Sequence, residues 1–285
     1  MEEDREIIQA SSHRATNRKV FEIITREDLL GKRILDIGAG KGYMTQLLGN
    51  HIREKGGCPS EIISACDLYP EYFSYKEIAC QKVEFIHELP FDKGSFDIAY
   101  AIEVIEHLKN PYDFIQEMFR VVRTSGKAII TTPNILNLSS RISYLLTGFF
   151  ELFRPLSLDT KDARRQWGHI MPLSAYYLNH AMRTCGFTKT ELYADRLKRS
   201  SLFLYLLLFP VLKTSSFRYA QRLQRKKPVI YQDNKQELQA INGLRLCCSR
   251  SAILVGYKLM QDFPLSESTS ASRDPRSHGD GLSTI

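Results

Sequence analysis

Residues 33–43 read RILDIGAGKGY, and this stretch decides the fold. Ile34, Leu35 and Ile37 suit a buried parallel strand, and the chain then runs through Gly38, Gly40 and Gly42 into a helical run starting at Tyr43. Glycines at such a turn let the backbone approach a ligand with no Cβ in the way. The helix that follows aims its first amides at whatever sits there. A strand, a glycine turn and a helix in that order make a nucleotide-type binding site.

Asp36 narrows the ligand. The spacing is GxGxG rather than GxGxxG, and a carboxylate two residues ahead of the first glycine would repel a pyrophosphate while suiting a cationic ligand. The run Asp36-Ile37-Gly38-Ala39-Gly40-Lys41-Gly42 resembles the first motif of class I S-adenosylmethionine-dependent methyltransferases. That resemblance implies a Rossmann-like α/β fold. Its sheet would be doubly wound, seven-stranded and mostly parallel, with an antiparallel edge hairpin and helical insertions. It also implies S-adenosyl-L-methionine as cofactor.

The rest of the chain is read around that turn. Apolar positions Val20, Ile23, Ile24 and Leu29 predict a helix over 16–30 that covers one face of the sheet, after a loose polar start over 1–15. A second strand over 61–67 stops on Asp67, placed to accept both ribose hydroxyls, with Leu68 flanking the adenine. A short helix is expected over 70–80, a third strand over 83–87 and a fourth over 97–101. The bracketing segments Leu89-Pro90-Phe91 and Ser95-Phe96-Asp97 also resemble the family, and Ala101 and Glu103 close the expected cofactor contacts. Where many relatives carry an acid after the third strand, this chain has Ile86-His87-Glu88. Helices over 111–122 and 174–185 and strands over 127–132, 187–194 and 251–258 complete the alternation.

The chemistry should sit at the end of the fourth strand, which reads Glu103-Val104-Ile105-Glu106-His107. A helical turn over 102–108 would put positions 103, 106 and 107 on one face. Glu106 and His107 are the candidate catalytic residues, because methyl transfer from a sulfonium needs an aligned acceptor and removal of its proton. ExxEH at this point resembles ubiquinone-pathway O-methyltransferases and small-RNA 3′-terminal 2′-O-methyltransferases. In the RNA enzymes a histidine after a TPN segment completes a metal site. Here Thr132-Pro133-Asn134 is followed by Trp167-Gly168-His169, so the resemblance implies Glu103, Glu106, His107 and His169 as ligands of Mg2+ or Mn2+. In the plainer reading the acids cap amides and His107 alone acts as base.

Composition bounds the setting. The 285 residues suit one large α/β domain, over 1–262, carrying acceptor-side insertions at 135–186 and 196–230. A Ser-, Asp- and Arg-rich tail over 263–285 reads as disordered. The opening MEEDREI has no signal-peptide character and the six cysteines form no CxxC pair, which predicts reduced thiols in a cytoplasmic protein. The net charge of +7 is concentrated between Asp195 and Asp233, which holds nine Lys or Arg and no acid. The apolar run LFLYLLLFPVL over 202–212 lies inside that segment and is too short to span a bilayer. Flanked by Arg196, Lys198, Arg199, Lys213 and Arg218, it fits a peripheral contact with the inner face of an anionic membrane. A buried helix or a homodimer contact is the alternative.

The segment over 137–155 resembles bacterial methyltransferases that modify surface polysaccharides or their lipid-linked precursors, which implies a glycan, lipid-linked or other small-molecule acceptor. The basic run could instead track a nucleic acid backbone, but that leaves the leucines unexplained. The rival readings are 2′-O-methylation of RNA and a non-catalytic cofactor-binding adaptor.

Overall fold

The computed structural model describes residues 8–86, 88–158 and 168–260. The glycine-turn strand, β1 (Ile34–Ile37), is buried at every position and lies third in one seven-stranded sheet. It pairs in parallel with β2 (Ile63–Asp67) on one side and with β4 (Phe96–Ile102) on the other. β3 (Cys80–Lys82) extends the sheet beyond β2, and β5 (Val122–Pro133) lies beside β4. β7 (Ser251–Tyr257) runs antiparallel between β5 and β6 (Lys189–Ala194). The order is β3-β2-β1-β4-β5-β7-β6, the expected sheet with its antiparallel edge pair.

Alternation along the strands sends neighbouring side chains to opposite faces. Ile34, Ile98 and Tyr100 pack beneath α1 (Arg14–Ile24) and α2 (Tyr43–Glu54). Leu35, Ile37, Ala99 and Ala101 pack beneath α4 (Pro111–Val121) and α6 (Ala175–Thr184), whose buried stripes include Phe114, Met118, Leu178 and Met182. The short α3 (Pro59–Ile62) leads into β2, and α5 (Leu138–Thr147) follows β5 with Asn137 capping its first turn. Four helices lie between β6 and β7: α7 (Arg199–Lys226), α8 (Pro228–Asp233), α9 (Lys235–Ile241) and α10 (Leu244–Cys248).

Three local expectations are corrected. The helix over 16–30 ends at Ile24, because the Asp28 carboxylate takes the Leu30 amide in a turn while Leu29 is buried on its own. The helix over 70–80 is a single 3-10 turn, Pro70–Tyr72. The third strand is Cys80–Lys82 rather than 83–87: the Val83 amide makes a last bond to the Asp67 carbonyl, and Ile86 and Leu89 are buried from a loop. Apolar residues there mark packing, not pairing. His87, Trp167 and the 263–285 tail lie outside the described residues, as do residues 1–7 of the expected loose start.

Candidate functional site

At the carboxyl ends of β1 and β4, where the order of strands reverses, a cleft of about 230 Å³ opens beside the glycine turn. Gly38, Ala39, Gly40 and Lys41 form one wall, Tyr43 and Met44 of α2 continue it, and Ile102 and Glu103 face them. The turn is fastened to β2, with the Gly38 and Ala39 amides donating to the Cys66 carbonyl at 2.9 and 3.2 Å. Two glycines do different work. At Gly38 (φ +70°) a Cβ would lie 2.6 Å from a Val104 methyl, so the position is closed by packing. At Gly40 (φ +54°) a Cβ would meet only the Ser11 hydroxyl, at 3.7 Å, so the missing side chain leaves open cleft.

Asp36 shares the sheet face of Ile34 and therefore points at α2, where the Thr45 hydroxyl donates to it at 2.6 Å. It is 3% exposed, and burial pushes its carboxyl up to about 6. A buried carboxylate lining a cleft with one hydroxyl to neutralise it is a site for a cationic ligand. Asp67 lies on the other side of the turn, accepting the Gly40 amide at 2.8 Å and the Tyr69 amide at 2.8 Å. These residues fit S-adenosylmethionine: an acid for the cationic end, an open glycine edge for the body, and a second acid at the end of β2.

The remaining expected contacts are placed less directly. Gly42 caps α2, and a Cβ there would run into the Phe73 ring. Leu68 packs against the core cluster on the α4 face. Ala101 is a correction: it is fully buried inside β4, and Ile102 and Glu103 reach the cleft instead. The N-terminal start is a second one. Ser11 and Ser12 line the cleft, held by Asn17, whose amide donates to the Ser12 hydroxyl and to the His13 carbonyl. No periodicity in residues 8–13 announces that role.

Beyond Ile102 the chain does not continue as a helix. Glu103 adopts φ +54°, and only Ile105–His107 forms a 3-10 turn. The Glu103 carboxylate is consequently taken by Arg250 at 2.9 Å and by the Ser251 hydroxyl at 3.0 Å. Asp195 accepts both the Arg250 and Ser251 amides, so β4, β6 and β7 are tied together at this point. Glu103 as a metal ligand is corrected accordingly: among the described residues, the groups whose ligand atoms lie within 4.8 Å of one another are Glu106, His107 and His169.

His169 is brought there by the backbone of Glu106, whose carbonyl accepts the amides of Ile170 and Met171 at 2.8 and 3.0 Å. Each imidazole is oriented through Nδ1. His107 meets the Gly168 carbonyl at 2.9 Å and His169 the Leu152 carbonyl at 2.7 Å. A carbonyl only accepts, so Nδ1 carries the proton in both rings and Nε2 is left as an acceptor. The rings are 4.9 Å apart between centroids. Burial holds the His107 pKa below its ordinary value, and the neighbouring His169 adds to this against the Gly168 carbonyl. Glu106 is fully buried, neither carboxylate oxygen has a hydrogen-bond partner among the described residues, and burial pushes it up to about 8. His169 Nε2 stands 4.0 Å from it, within ionic range but beyond a hydrogen bond.

Comparison with known proteins supports the same reading. Residues 12–192 match the family described as a methyltransferase domain. A probable S-adenosylmethionine-dependent methyltransferase of Mycolicibacterium smegmatis is 29% identical over 38% of this chain and 41% of its own. A ubiquinone biosynthesis O-methyltransferase of Pseudomonas aeruginosa is 27% identical over 46% of this chain and 57% of its own. The chain thus spans about half the length of these curated relatives. A SAM-dependent methyltransferase structure from Archaeoglobus fulgidus superposes with a TM-score of 0.51 at 15% identity, over 87% of this chain and 95% of the other, and speaks for the fold alone. With that fold, that glycine turn and a family match over most of the sheet, the chain belongs to the class I S-adenosylmethionine-dependent methyltransferases.

Proposed function

We propose that the protein transfers a methyl group from S-adenosylmethionine to a hydroxyl oxygen of a sugar or lipid-linked small molecule, in the cytoplasm. The observation that carries this reading is the pair of imidazoles anchored through Nδ1 beside a buried, unpartnered carboxylate, next to the glycine cleft. When bound, S-adenosylmethionine supplies a methyl group already activated on a sulfonium. The protein then has to align a hydroxyl and remove its proton.

His107 suits proton removal. Its Nε2 is free to accept, its ring is fixed by Gly168, and its depressed pKa keeps it neutral near pH 7. As the oxygen gains the methyl group, its proton passes to His107 Nε2. The imidazolium so formed lies close to Glu106, whose carboxyl burial raises to about 8, and it gives its proton to water once the product leaves. His169 stands between the two groups and can orient the acceptor through its own Nε2.

The same donors, one carboxylate and two imidazole nitrogens, fit a divalent cation such as Mg2+ or Mn2+, held by Glu106, His107 and His169. Bound there, it would lower the pKa of an acceptor hydroxyl. The likeness to the ubiquinone biosynthesis O-methyltransferase of Pseudomonas aeruginosa supports oxygen as the methylated atom. The six cysteines stand as free thiols, which supports a cytoplasmic setting.

Labelled methyl donor offered to fractionated glycan, lipid, quinone and RNA pools tests the reading. Label is expected in glycan or lipid as an ether. Label confined to RNA ends would overturn the acceptor class, and donor binding without labelling of any pool would favour an adaptor.

A further inference from the structure

The 28 residues of α7 form the longest helix described, yet Ser201 is its one buried residue. Its inner face is defined by Leu202, Tyr205, Leu208 and Leu212, which pack against Leu138 of α5 and against Cys247 and Cys248 of α10. Its outer face carries Phe203, Leu206, Leu207 and Val211, each more than 60% exposed. Further along the same face come Phe217 and then Arg218, Arg222 and Arg225, at helical spacing. α5 stands beside it, with the Ser139 and Ser201 hydroxyls 2.9 Å apart, and ends in Leu145 and Leu146, 81% and 76% exposed. Leucines exposed to that extent on two adjoining helices form a surface that a soluble monomer does not ordinarily leave to water.

Charge identifies what covers it. No acid occurs between Asp195 and Asp233, and the exposed Arg199, Lys213, Arg218, Arg222 and Arg225 form no ion pair among the described residues. Lys198 is the exception, paired with Glu151. A surface with leucines at its centre and unpaired cations around it matches an anionic lipid bilayer, whose headgroups take the charge and whose acyl boundary takes the side chains.

α7 is long and apolar enough over 18 residues to qualify by composition as a spanning helix. Its geometry argues otherwise. The apolar run over 202–212 covers about 16 Å at 1.5 Å per residue, about half of a hydrocarbon core. Its inner leucines are already committed to the domain.

We propose that α7, with the end of α5, docks the protein flat on an anionic membrane surface. This face is linked to the site. Lys198, which precedes α7, holds Glu151, and the carbonyl of the next residue, Leu152, orients His169. The inference stands apart from the choice of acceptor, since it is read from lipid binding alone.

The test is flotation of the full chain with vesicles of phosphatidylcholine, with and without phosphatidylglycerol. Binding is expected on the mixed vesicles only, and it should fall with salt. Leu206→Glu with Leu207→Glu should lower the partition coefficient at least about tenfold, and Leu145→Glu with Leu146→Glu should also weaken it. Arg222→Gln and Arg225→Gln should each cost about fivefold. Unchanged melting curves and donor affinity will show that the variants are folded. No flotation on anionic vesicles would overturn the proposal, as would variants that float like the parent chain. So would bound protein that resists carbonate extraction, which indicates a span. A solution dimer that the leucine variants dissociate, with no lipid affinity in either form, would assign the face to a second copy instead.

Discussion

Replacing Asp36 by Asn should move two measurements in opposite directions. The carboxyl is buried in the α2 face of the sheet, and burial raises its pKa from 3.8 to about 6. The folded state therefore holds a proton that the unfolded chain has released over that interval. Its contribution to stability is greatest below about pH 4, falls as pH rises to about 6, and is constant above. The interval corresponds to about 3 kcal/mol lost by neutral pH. Asn keeps an acceptor for the Thr45 hydroxyl, and the charge-assisted part of that bond is already contained in the shift. The ligand-free variant should thus be about 3 kcal/mol more stable than the parent near pH 7 by urea denaturation, with the gain vanishing near pH 4. Calorimetry with S-adenosylmethionine should show the reverse. Removing one partner of a buried charge pair costs about 2–4 kcal/mol, which is thirty- to a thousandfold in Kd. The parent's affinity should also weaken as pH drops below about 6, while the variant's should not follow that course. Donor affinity within twofold of the parent would refute the placement of a cation beside Asp36, and stability profiles that run parallel from pH 4 to 7 would refute the buried charge.

The other expectations concern the turn and the acceptor side. Gly40→Val should abolish donor binding because its side chain enters open cleft, with a modest fall in melting temperature from a β-branched residue at φ +54°, whereas Gly38→Val should lower the melting temperature further through its clash with Val104. Equal donor affinity in Gly40→Val, by calorimetry, would exclude that edge as the ligand's. His107→Ala should cut kcat by about 10²–10⁴ while donor Kd stays within about twofold, and unchanged turnover would remove it from proton transfer. If Glu106, His107 and His169 hold a cation, chelation should suppress turnover and manganese should restore it in the parent chain but not in His169→Ala. Activity indifferent to chelators would leave the two imidazoles acting alone.

The donor half was legible because its contacts are local. Asp36 sits on the strand that feeds the glycines, and Asp67 ends the next strand, so order along the chain and order in space coincide. The acceptor half is built from distant segments. Glu103, Glu106 and His107 read as one helical face, but a left-handed residue at 103 breaks that face and sends its carboxylate to Arg250, 147 positions away. No local pattern encodes such a pairing. The misplaced third strand has a similar origin: Val83, Ile86 and Leu89 have the hydrophobicity of a strand, yet they are buried from a loop by the walls already formed. Ser11 and Ser12 carry no signal, since their position over the cleft depends on Asn17 folding back from α1.

Glu106 joins these two halves. Its carbonyl gathers the Ile170 and Met171 amides, which fixes the segment bearing His169, while its carboxylate is buried with no hydrogen-bond partner among the described residues. An unpartnered buried carboxylate costs stability, so it persists in a fold where something else depends on it. In the proposed mechanism, what depends on it is the charge balance of two imidazoles that would gain a proton or hold a cation. The segments around them, over 135–158 and 168–171, lie outside the strand that carries Asp36 and the glycines. Acceptor specificity can therefore change in those segments, or in how α7 presents them to a surface, without disturbing the donor pocket.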